Sequence, residues 1–158
     1  MNSTNKPKTQ GFTIIEVVLV LAIAGLIFLI VFLALPALQR SQRDTQRKND
    51  LSRFMSQLTQ YQSNHQGAVP TGTGDGAWNT SFVSAYLTNG GQTFNDPQTG
   101  TQYNVDVYTN TTTQPAANGD MFVYTGYTCS SGSLTAGSGR SVAALVKLEQ
   151  GGTLCQNN

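Results

Sequence analysis

The chain has 158 residues, a formal net charge of +1, and 39% hydrophobic residues. This length argues against a two-domain enzyme, and the near-neutral charge points to no strongly acidic or basic partner such as nucleic acid. The apolar residues are concentrated between Phe12 and Leu38, whereas the rest is rich in Thr, Asn, Gln, Ser and Gly. We therefore expect one membrane segment and one soluble domain with a modest core.

The apolar segment near the start of the chain is long enough to span a bilayer. Glu16 is the only ionisable residue between Phe12 and Gln39. As a helix, Ile14 to Leu35 would be about 33 Å long, against a hydrocarbon core of about 30 Å. The sequence therefore predicts a transmembrane helix.

The junction between the polar, lysine-bearing leader and the apolar helix lies at Gly11 and Phe12. An ordinary secretory signal would be cleaved after its apolar region, where residues 34–37 form a poor cleavage site. The block Gly11-Phe12-Thr13-Ile14-Ile15-Glu16 instead resembles the processing signal of type IV prepilins. One departure is Gln10, where many prepilins carry Lys or Arg.

The resemblance implies a division of the chain into three parts. Residues 1–11 would be a cytoplasmic leader that a membrane prepilin peptidase removes after Gly11, methylating the new terminus at Phe12. Residues 12–38 would form the helix that spans the membrane and later builds the filament core. Residues 39–158 would hold the second half of the helix and a globular head.

Glu16 is the first candidate functional residue, because a carboxylate in hydrocarbon costs about 2.5 to 3.5 kcal/mol on insertion scales. Members of the resembled family pair this glutamate with the terminal amine of a neighbouring subunit during assembly, which here would be the amine of Phe12. The alternative is that Glu16 lies near the headgroups and reaches them with its side chain.

The charges that flank the apolar segment oppose an orientation with the leader in the cytoplasm and residues 39–158 outside. Lys6 and Lys8 precede it, whereas five basic residues follow it between Arg40 and Arg53. The positive-inside rule places the more basic side in the cytoplasm. We nevertheless expect the distal part to be exported, because the processing block and the two cysteines both favour export.

The helix is expected to continue past the membrane. Pro36 predicts a kink, with Gly25 as a second weak point. Five basic and two acidic residues between Arg40 and Arg53 leave +3 there. Because residues 39–50 contain nothing apolar, we expect no packing face in this neck, which either contacts acidic groups of neighbouring subunits or is solvated. Local support would come from the pairs Asp44 with Lys48 and Asp50 with Arg53.

An apolar stripe with helical spacing follows the neck and predicts one buried face, ending near the C-cap candidate Gly67. Its members are Leu51, Phe54, Met55, Leu58 and Tyr61. Residues 78–87 fit a short amphipathic helix. Residues 96–100 fit a turn, similar to an Asp-Pro…Gly…Tyr arrangement in pseudopilins of type II secretion and some pilins. Strands are predicted at 103–107, 121–128 and 141–148, joined by loops of hairpin character.

The predicted fold class is therefore α+β. A long N-terminal helix, with a transmembrane half and an amphipathic half, packs on a small antiparallel β-sheet as in type IV pilins. Cys129 and Cys155 form an even pair, which favours a disulfide if this end reaches an oxidising compartment. Such a bridge would tie the last residues to the sheet, like the disulfide-bounded region of pilins.

Other candidate sites are weak. His65 is the only histidine, so no metal or catalytic site and no cofactor is expected. The Gly-rich stretch 72–76 lacks the context of a phosphate loop. Two sequences match glycosylation acceptors, at Asn79 and Asn110, but two matches are expected by chance in so Asn- and Thr-rich a chain.

The sequence predicts a structural pilin and no enzyme. Its partners would be further copies of the chain in a helical filament, the prepilin peptidase, the assembly platform and, before assembly, the cytoplasmic membrane; no direct contact with nucleic acid is predicted. The filament would lie outside the cell and support adhesion, twitching motility or DNA uptake. Two alternatives stay open: a pseudopilin of a type II secretion or competence system, and a signal-anchored exported domain that binds a ligand.

Overall fold

The computed structural model describes residues 11–158, which divide into two compact units at Leu38 and Gln39. We call residues 11–38 the N-terminal segment and residues 39–158 the head. The predicted leader lies outside the described residues except for Gly11. The elements in chain order are α1 (Ile14–Asn64), α2 (Asn79–Leu87), a short 3₁₀ turn (Asn89–Gly91), β1 (Asn104–Tyr108), β2 (Asp120–Thr125), β3 (Tyr127–Ser130), β4 (Ser133–Ala136), β5 (Val142–Lys147) and β6 (Thr153–Asn157).

The N-terminal segment is helical from Ile14 onward. Its large apolar side chains, from Phe12 to Leu38, are all at least 49% exposed. Helix α1 is long and apolar enough to cross a membrane. A helix that is apolar on every side needs an apolar environment on every side.

In the head, α1 packs on one face of a sheet. Leu51, Phe54, Met55 and Leu58 are at most 3% exposed, as their spacing predicts. They share a core with alternate residues of β1, β2 and β5 and with α2. The helix ends at Asn64. Gly67 then donates its N–H to the carbonyl oxygen of Gln62 at 2.7 Å, and both Gln66 and Gly67 have positive φ, so the helix stops near Gly67 as predicted, with Gln66 at the first left-handed position.

The main sheet has four strands in the order β1-β2-β5-β6. The predicted α+β class, with the long helix packed on a sheet, is confirmed. The sheet itself is mixed and not purely antiparallel, because β1 and β2 run parallel, with Val105 opposite Met121. A parallel pair needs a crossover connection. Residues 109–119 supply it, although their composition predicts a hairpin.

A two-stranded sheet of β3 and β4 accompanies the main sheet. The sequence predicts one strand over 121–128, but this stretch is broken at Gly126, whose φ of +83° strongly favours glycine. The break redirects the chain, so β3 pairs with β4 and not with the main sheet. A second apolar cluster forms around Phe122, Tyr124 and Leu145.

Helix α2 occupies the region predicted to be a short helix, but it has π-helical geometry. Val83 donates its N–H to the carbonyl of Trp78 at 2.9 Å, and Thr88 donates to Val83 at 3.0 Å. Both bonds join residues five apart, as in a π-helix. Phe82, Val83 and Leu87 are buried by it.

Candidate assembly site and the polar cluster of the head

The N-terminus of α1 is capped by reciprocal hydrogen bonds between Thr13 and Glu16. The backbone N–H of Glu16 donates to Oγ1 of Thr13 at 3.4 Å. In return, Oε2 of Glu16 accepts the Thr13 N–H at 2.9 Å and its hydroxyl at 2.7 Å. This is a capping box, in which N-cap threonine and third-position glutamate satisfy each other's groups.

The capping box uses only one carboxylate oxygen of Glu16. Among residues 11–158, Oε1 of Glu16 has no hydrogen-bond partner. A carboxylate in an apolar environment is stabilised by hydrogen bonds or an opposite charge. Within residues 11–158, Glu16 thus has one oxygen engaged by Thr13 and one without a hydrogen-bond partner.

The predicted cleavage site lies just before the helix. Gly11, Phe12 and Thr13 are non-helical and exposed, and Phe12 is 89% exposed. A Cβ atom built on Gly11 would meet no atom within 4 Å among the described residues. Residues 11–13 are therefore exposed just before the helix, and Glu16 lies within the first turn of the helix that follows.

The predicted kink residues both lie inside α1. Pro36 is within the helix, whose bounds run without interruption from Ile14 to Asn64. Gly25 is also helical, and a Cβ atom there would meet no atom within 4 Å. The kink itself stays a prediction.

The head contains a buried polar cluster that the sequence does not predict. We call it the Arg47 cluster; its members are Arg43, Asp44, Arg47, Asp96 and Glu149. The side chain of Arg47 is fully buried. Its Nε donates to Oδ2 of Asp96 at 2.6 Å and its Nη2 to Oδ1 at 3.1 Å. Its Nη1 lies 3.0 Å from Oε1 of Glu149 and 3.3 Å from Oδ1 of Asp44.

The other members extend the cluster across the head. Both carboxylate oxygens of Glu149 accept hydrogen bonds of 2.7 Å from Arg43. Oδ1 of Asp44 accepts the backbone N–H of Glu149 at 2.8 Å, and its Oδ2 accepts that of Gln150 at 3.1 Å. The cluster therefore ties α1 to the turn after β5 and to the loop before β1.

These contacts correct the expectation for the neck. Residues 39–50 do have a packing face, because Asp44 is 3% exposed and Arg47 is 0% exposed. Asp44 pairs with Arg47 and not with Lys48. Arg53, which was expected to pair with Asp50, instead donates to the carbonyl oxygens of Leu87 and Thr93.

The carboxyl groups of the Arg47 cluster are held in their ionised form. Burial alone would raise the pKa of Asp96, but hydrogen bonds from Arg47 and from the amides of the following turn hold that pKa below its ordinary value. Asp44 has a lowered pKa for similar reasons, since the amides of the turn after β5 and Arg47 outweigh its burial. Hydrogen bonds from Arg43 lower the pKa of Glu149.

The turn at residues 96–100 is present as predicted and holds Asp96 in place. Its backbone closes with a 2.8 Å bond from the Gly100 N–H to the Asp96 carbonyl. The Asp96 side chain accepts the N–H of Gln98 at 2.9 Å and of Thr99 at 3.1 Å. These hydrogen bonds fix the carboxylate in the orientation in which it faces Arg47.

Cys129 and Cys155 are joined by a disulfide with their Cα atoms 5.9 Å apart. Cys129 lies on β3 and Cys155 on β6, so the bridge links the small sheet to the edge of the main sheet. It packs beside the second apolar cluster. His65 is exposed and stacks on Tyr61, with ring centroids 3.9 Å apart.

Within residues 11–158, no group of three or more His, Cys, Asp or Glu side chains is arranged to hold a metal ion. No curated protein and no solved structure matches the chain. Residues 6–32 match the family model of the prokaryotic N-terminal methylation motif, which includes Gly11, Phe12 and Glu16. This motif indicates a structural protein that is a substrate of prepilin peptidase, of the pilin or pseudopilin kind. Over residues 6–32, the chain therefore carries the N-terminal signature of type IV pilins.

Proposed function

We propose that this chain is a structural subunit of a type IV pilus-like surface filament. The prepilin peptidase cuts after Gly11 and methylates Phe12, and the N-terminal segment first anchors the subunit in the cytoplasmic membrane. The assembly platform then transfers it to a helical homo-oligomer outside the cell. Adhesion, twitching motility or DNA uptake would be activities of that filament.

The exposed apolar surface of the N-terminal segment carries this proposal. Its large apolar side chains are at least 49% exposed, and the head has its own closed core. Apolar surface of this extent marks contact with a membrane or with other protein chains. A subunit that moves from lipid into a filament meets both needs with one surface.

Glu16 gives the proposal its chemistry. The carboxylate already accepts two hydrogen bonds from Thr13, which lower its cost in lipid. Cleavage after Gly11 creates a positive amine on Phe12. In the resembled family this amine pairs with the glutamate of a neighbour, and the unused Oε1 atom of Glu16 is suited to that role. Pairing of the Glu16 carboxylate with the Phe12 amine of a neighbour favours docking of the subunit in register over its remaining in lipid.

Two substitutions of Glu16 separate the pairing role from the capping role. Glu16→Gln keeps a side chain that serves in a capping box but removes the charge, whereas Glu16→Ala removes both. We expect both variants to be made and cleaved at normal levels and to form few or no surface filaments. Immunoblots of whole cells and of sheared filaments measure this. Normal filament yield with Glu16→Gln would reject charge pairing and leave helix capping as the role of Glu16.

A pseudopilin is the second candidate, because it shares the methylation motif. The disulfide-bounded end of the head favours a pilin mildly. Electron microscopy of cells at native expression decides: long surface filaments that label with an antibody to the head support a pilus. Their absence, with loss of protein secretion or of transformation in a deletion strain, supports a pseudopilus.

The third candidate, a signal-anchored domain that binds a ligand as a monomer, gives no role to Glu16 or to the Gly11 junction. Cross-linking in the membrane distinguishes it. A cysteine introduced in the N-terminal segment should form ladders of cross-linked subunits if the chain assembles. A monomer alone would favour the anchored domain.

A further inference from the structure

The two glycosylation-type sequences of the head differ sharply in their surroundings. Asn79, in Asn79-Thr80-Ser81, begins α2 and has both side-chain atoms engaged. Its Nδ2 donates to Oδ1 of Asn104 at 2.9 Å, and its Oδ1 accepts the Val105 N–H at 3.1 Å. This amide is part of the fold and is not available for modification.

Asn110, in Asn110-Thr111-Thr112, lies in the crossover loop between β1 and β2. Residues 109–114 are all exposed and belong to no helix or strand. Within the described chain, the backbone of residues 110–112 makes no hydrogen bond to another backbone group. This stretch can enter the groove of another protein without breaking secondary structure.

The side chains of this stretch are arranged around the asparagine amide. Oδ1 of Asn110 accepts the hydroxyl of Thr112 at 2.8 Å and its N–H at 3.4 Å. Among the described residues, Nδ2 of Asn110 has no acceptor. The hydroxyl two residues after asparagine is the feature that defines an acceptor sequence for N-linked glycans. Here it already contacts the amide, and the nitrogen faces no competing protein group.

We propose that Asn110 is an acceptor site for an N-linked glycan and that Asn79 is not. The donor is a sugar carried on a lipid diphosphate, and the enzyme is a membrane glycosyltransferase on the side where the head is exported. The carboxamide nitrogen of Asn110 forms a bond to C1 of the sugar as the bond from C1 to the phosphate oxygen breaks. The lipid diphosphate leaves, and one amide proton passes to a base of the transferase.

The anchoring of the loop on either side of Asn110 supports this assignment. The carbonyl of Thr113 accepts the hydroxyl of Tyr124, the carbonyl of Ala116 accepts the ammonium of Lys147, and Pro115 is buried. Anchors at both ends, β1 before and Thr113 after, hold the sequence at the surface. A bulky glycan at Asn110 would extend into solvent without disturbing either apolar cluster.

The test is mass spectrometry of the full chain purified from its native cells, with peptide mapping. We expect the peptide that contains Asn110 to carry a glycan that an asparagine-specific amidase releases, converting the side chain at position 110 to a carboxylate. The peptide with Asn79 should be unmodified. Asn110→Gln and Thr112→Ala should abolish the modification, Thr112→Ser should retain it, and Asn89→Gln, at an exposed asparagine outside any acceptor sequence, should not affect it.

The same spectra separate this proposal from the function proposed above, on whose exported head it depends. A disulfide between Cys129 and Cys155 and a terminus at Phe12 would show export and processing. An unmodified Asn110 in such a protein would overturn the glycan proposal and leave the pilin proposal intact. A glycan that persists in Asn110→Gln and resists the amidase would place the modification on a threonine, which also overturns it.

Discussion

Helix α1 runs through two regions that differ in packing: its apolar side chains are exposed in the N-terminal segment and buried in the head. Phe28 in the N-terminal segment is 65% exposed, whereas Phe54 in the head is fully buried. Both are phenylalanines in the same helix, so helix formation does not explain the difference. Around Phe28 the apolar residues are continuous, and around Phe54 they form one stripe among polar residues. A stripe needs one partner, which the head supplies, whereas an all-round apolar helix needs partners from outside the chain.

Truncating each phenylalanine in turn should produce the largest difference between the two regions. Phe54→Ala should destabilise the head by about 4 kcal/mol, since it leaves a cavity between α1 and α2. Phe54 packs edge to face on Phe82, with ring centroids 5.4 Å apart. Denaturant unfolding of the detergent-solubilised full chain, followed by tryptophan fluorescence, measures the change.

Phe28→Ala is the matched control. It should leave the unfolding of the head unchanged and reduce membrane insertion or filament yield instead. Equal destabilisation of the head by the two substitutions would contradict the assignment of Phe54 to the core of the head and of Phe28 to contacts outside the chain.

The disulfide tests how far the head depends on a covalent constraint. Replacing Cys129 and Cys155 together by serine should cost about 3.5 kcal/mol, from the entropy of the loop that the bridge closes. The sequence separation of the two cysteines is 26. The N-terminal segment has no such constraint among its described residues, so insertion into membranes should be unaffected. Thermal melting with and without a reducing agent provides an independent measurement.

The Arg47 cluster should contribute slightly less to the stability of the head than the disulfide does. Arg47→Met should destabilise the head by about 3 kcal/mol, because it leaves Asp96 and Asp44 buried without their cation. Arg40→Met is the control: Arg40 is exposed, and surface substitutions stay within about 0.5 kcal/mol. If the two variants unfolded at the same denaturant concentration, the cluster would have no net stabilising role.

The smallest predicted effect is the pH dependence of the difference in unfolding free energy between wild type and Arg47→Met. Asp96, Asp44 and Glu149 have lowered pKa values in the folded head. Groups of this kind stabilise the folded state above their ordinary pKa values of about 4 and lose that contribution as the pH falls through the folded pKa. The stability difference between wild type and Arg47→Met should therefore shrink as the pH falls below about 4.

Asp50 opposes this trend, because burial raises its pKa. Its protonation at low pH favours the folded state. Asp50 is present in both proteins, so comparing wild type with Arg47→Met removes most of its contribution. A stability difference that grew on acidification would contradict the assigned pKa directions.

The parts of the molecule that sequence predicts are those whose signals are local. The stripe from Leu51 to Leu58 has helical spacing, and the structure buries it. Glu16 is noticeable because it is the only charge in an apolar run. Its contact with Thr13 is an addition from the structure, which the Thr-x-x-Glu spacing of a capping box could have indicated. In both cases the sequence signal itself lies within one or two helical turns, although the residues that bury the stripe come from β1, β2, β5 and α2.

The parts that sequence misses depend on contacts between distant residues. Arg47 reads as one of several solvated basic residues, yet its bidentate partner Asp96 is 49 residues away. The parallel pairing of β1 and β2 is hidden because residues 109–119 have the composition of a turn. β6 contains mostly polar residues and becomes a strand by pairing with β5.

Processing after Gly11 and assembly into filaments are tested together by intact mass and N-terminal sequencing of the chain in material sheared from the surface of native cells. We predict a polypeptide that starts at methylated Phe12, has an intact Cys129–Cys155 disulfide and is present in filaments. A chain that keeps Met1 and stays with the membrane would contradict it and identify an anchored monomer. A chain that starts near Gln39 would also contradict it, because the head would then be a secreted soluble domain.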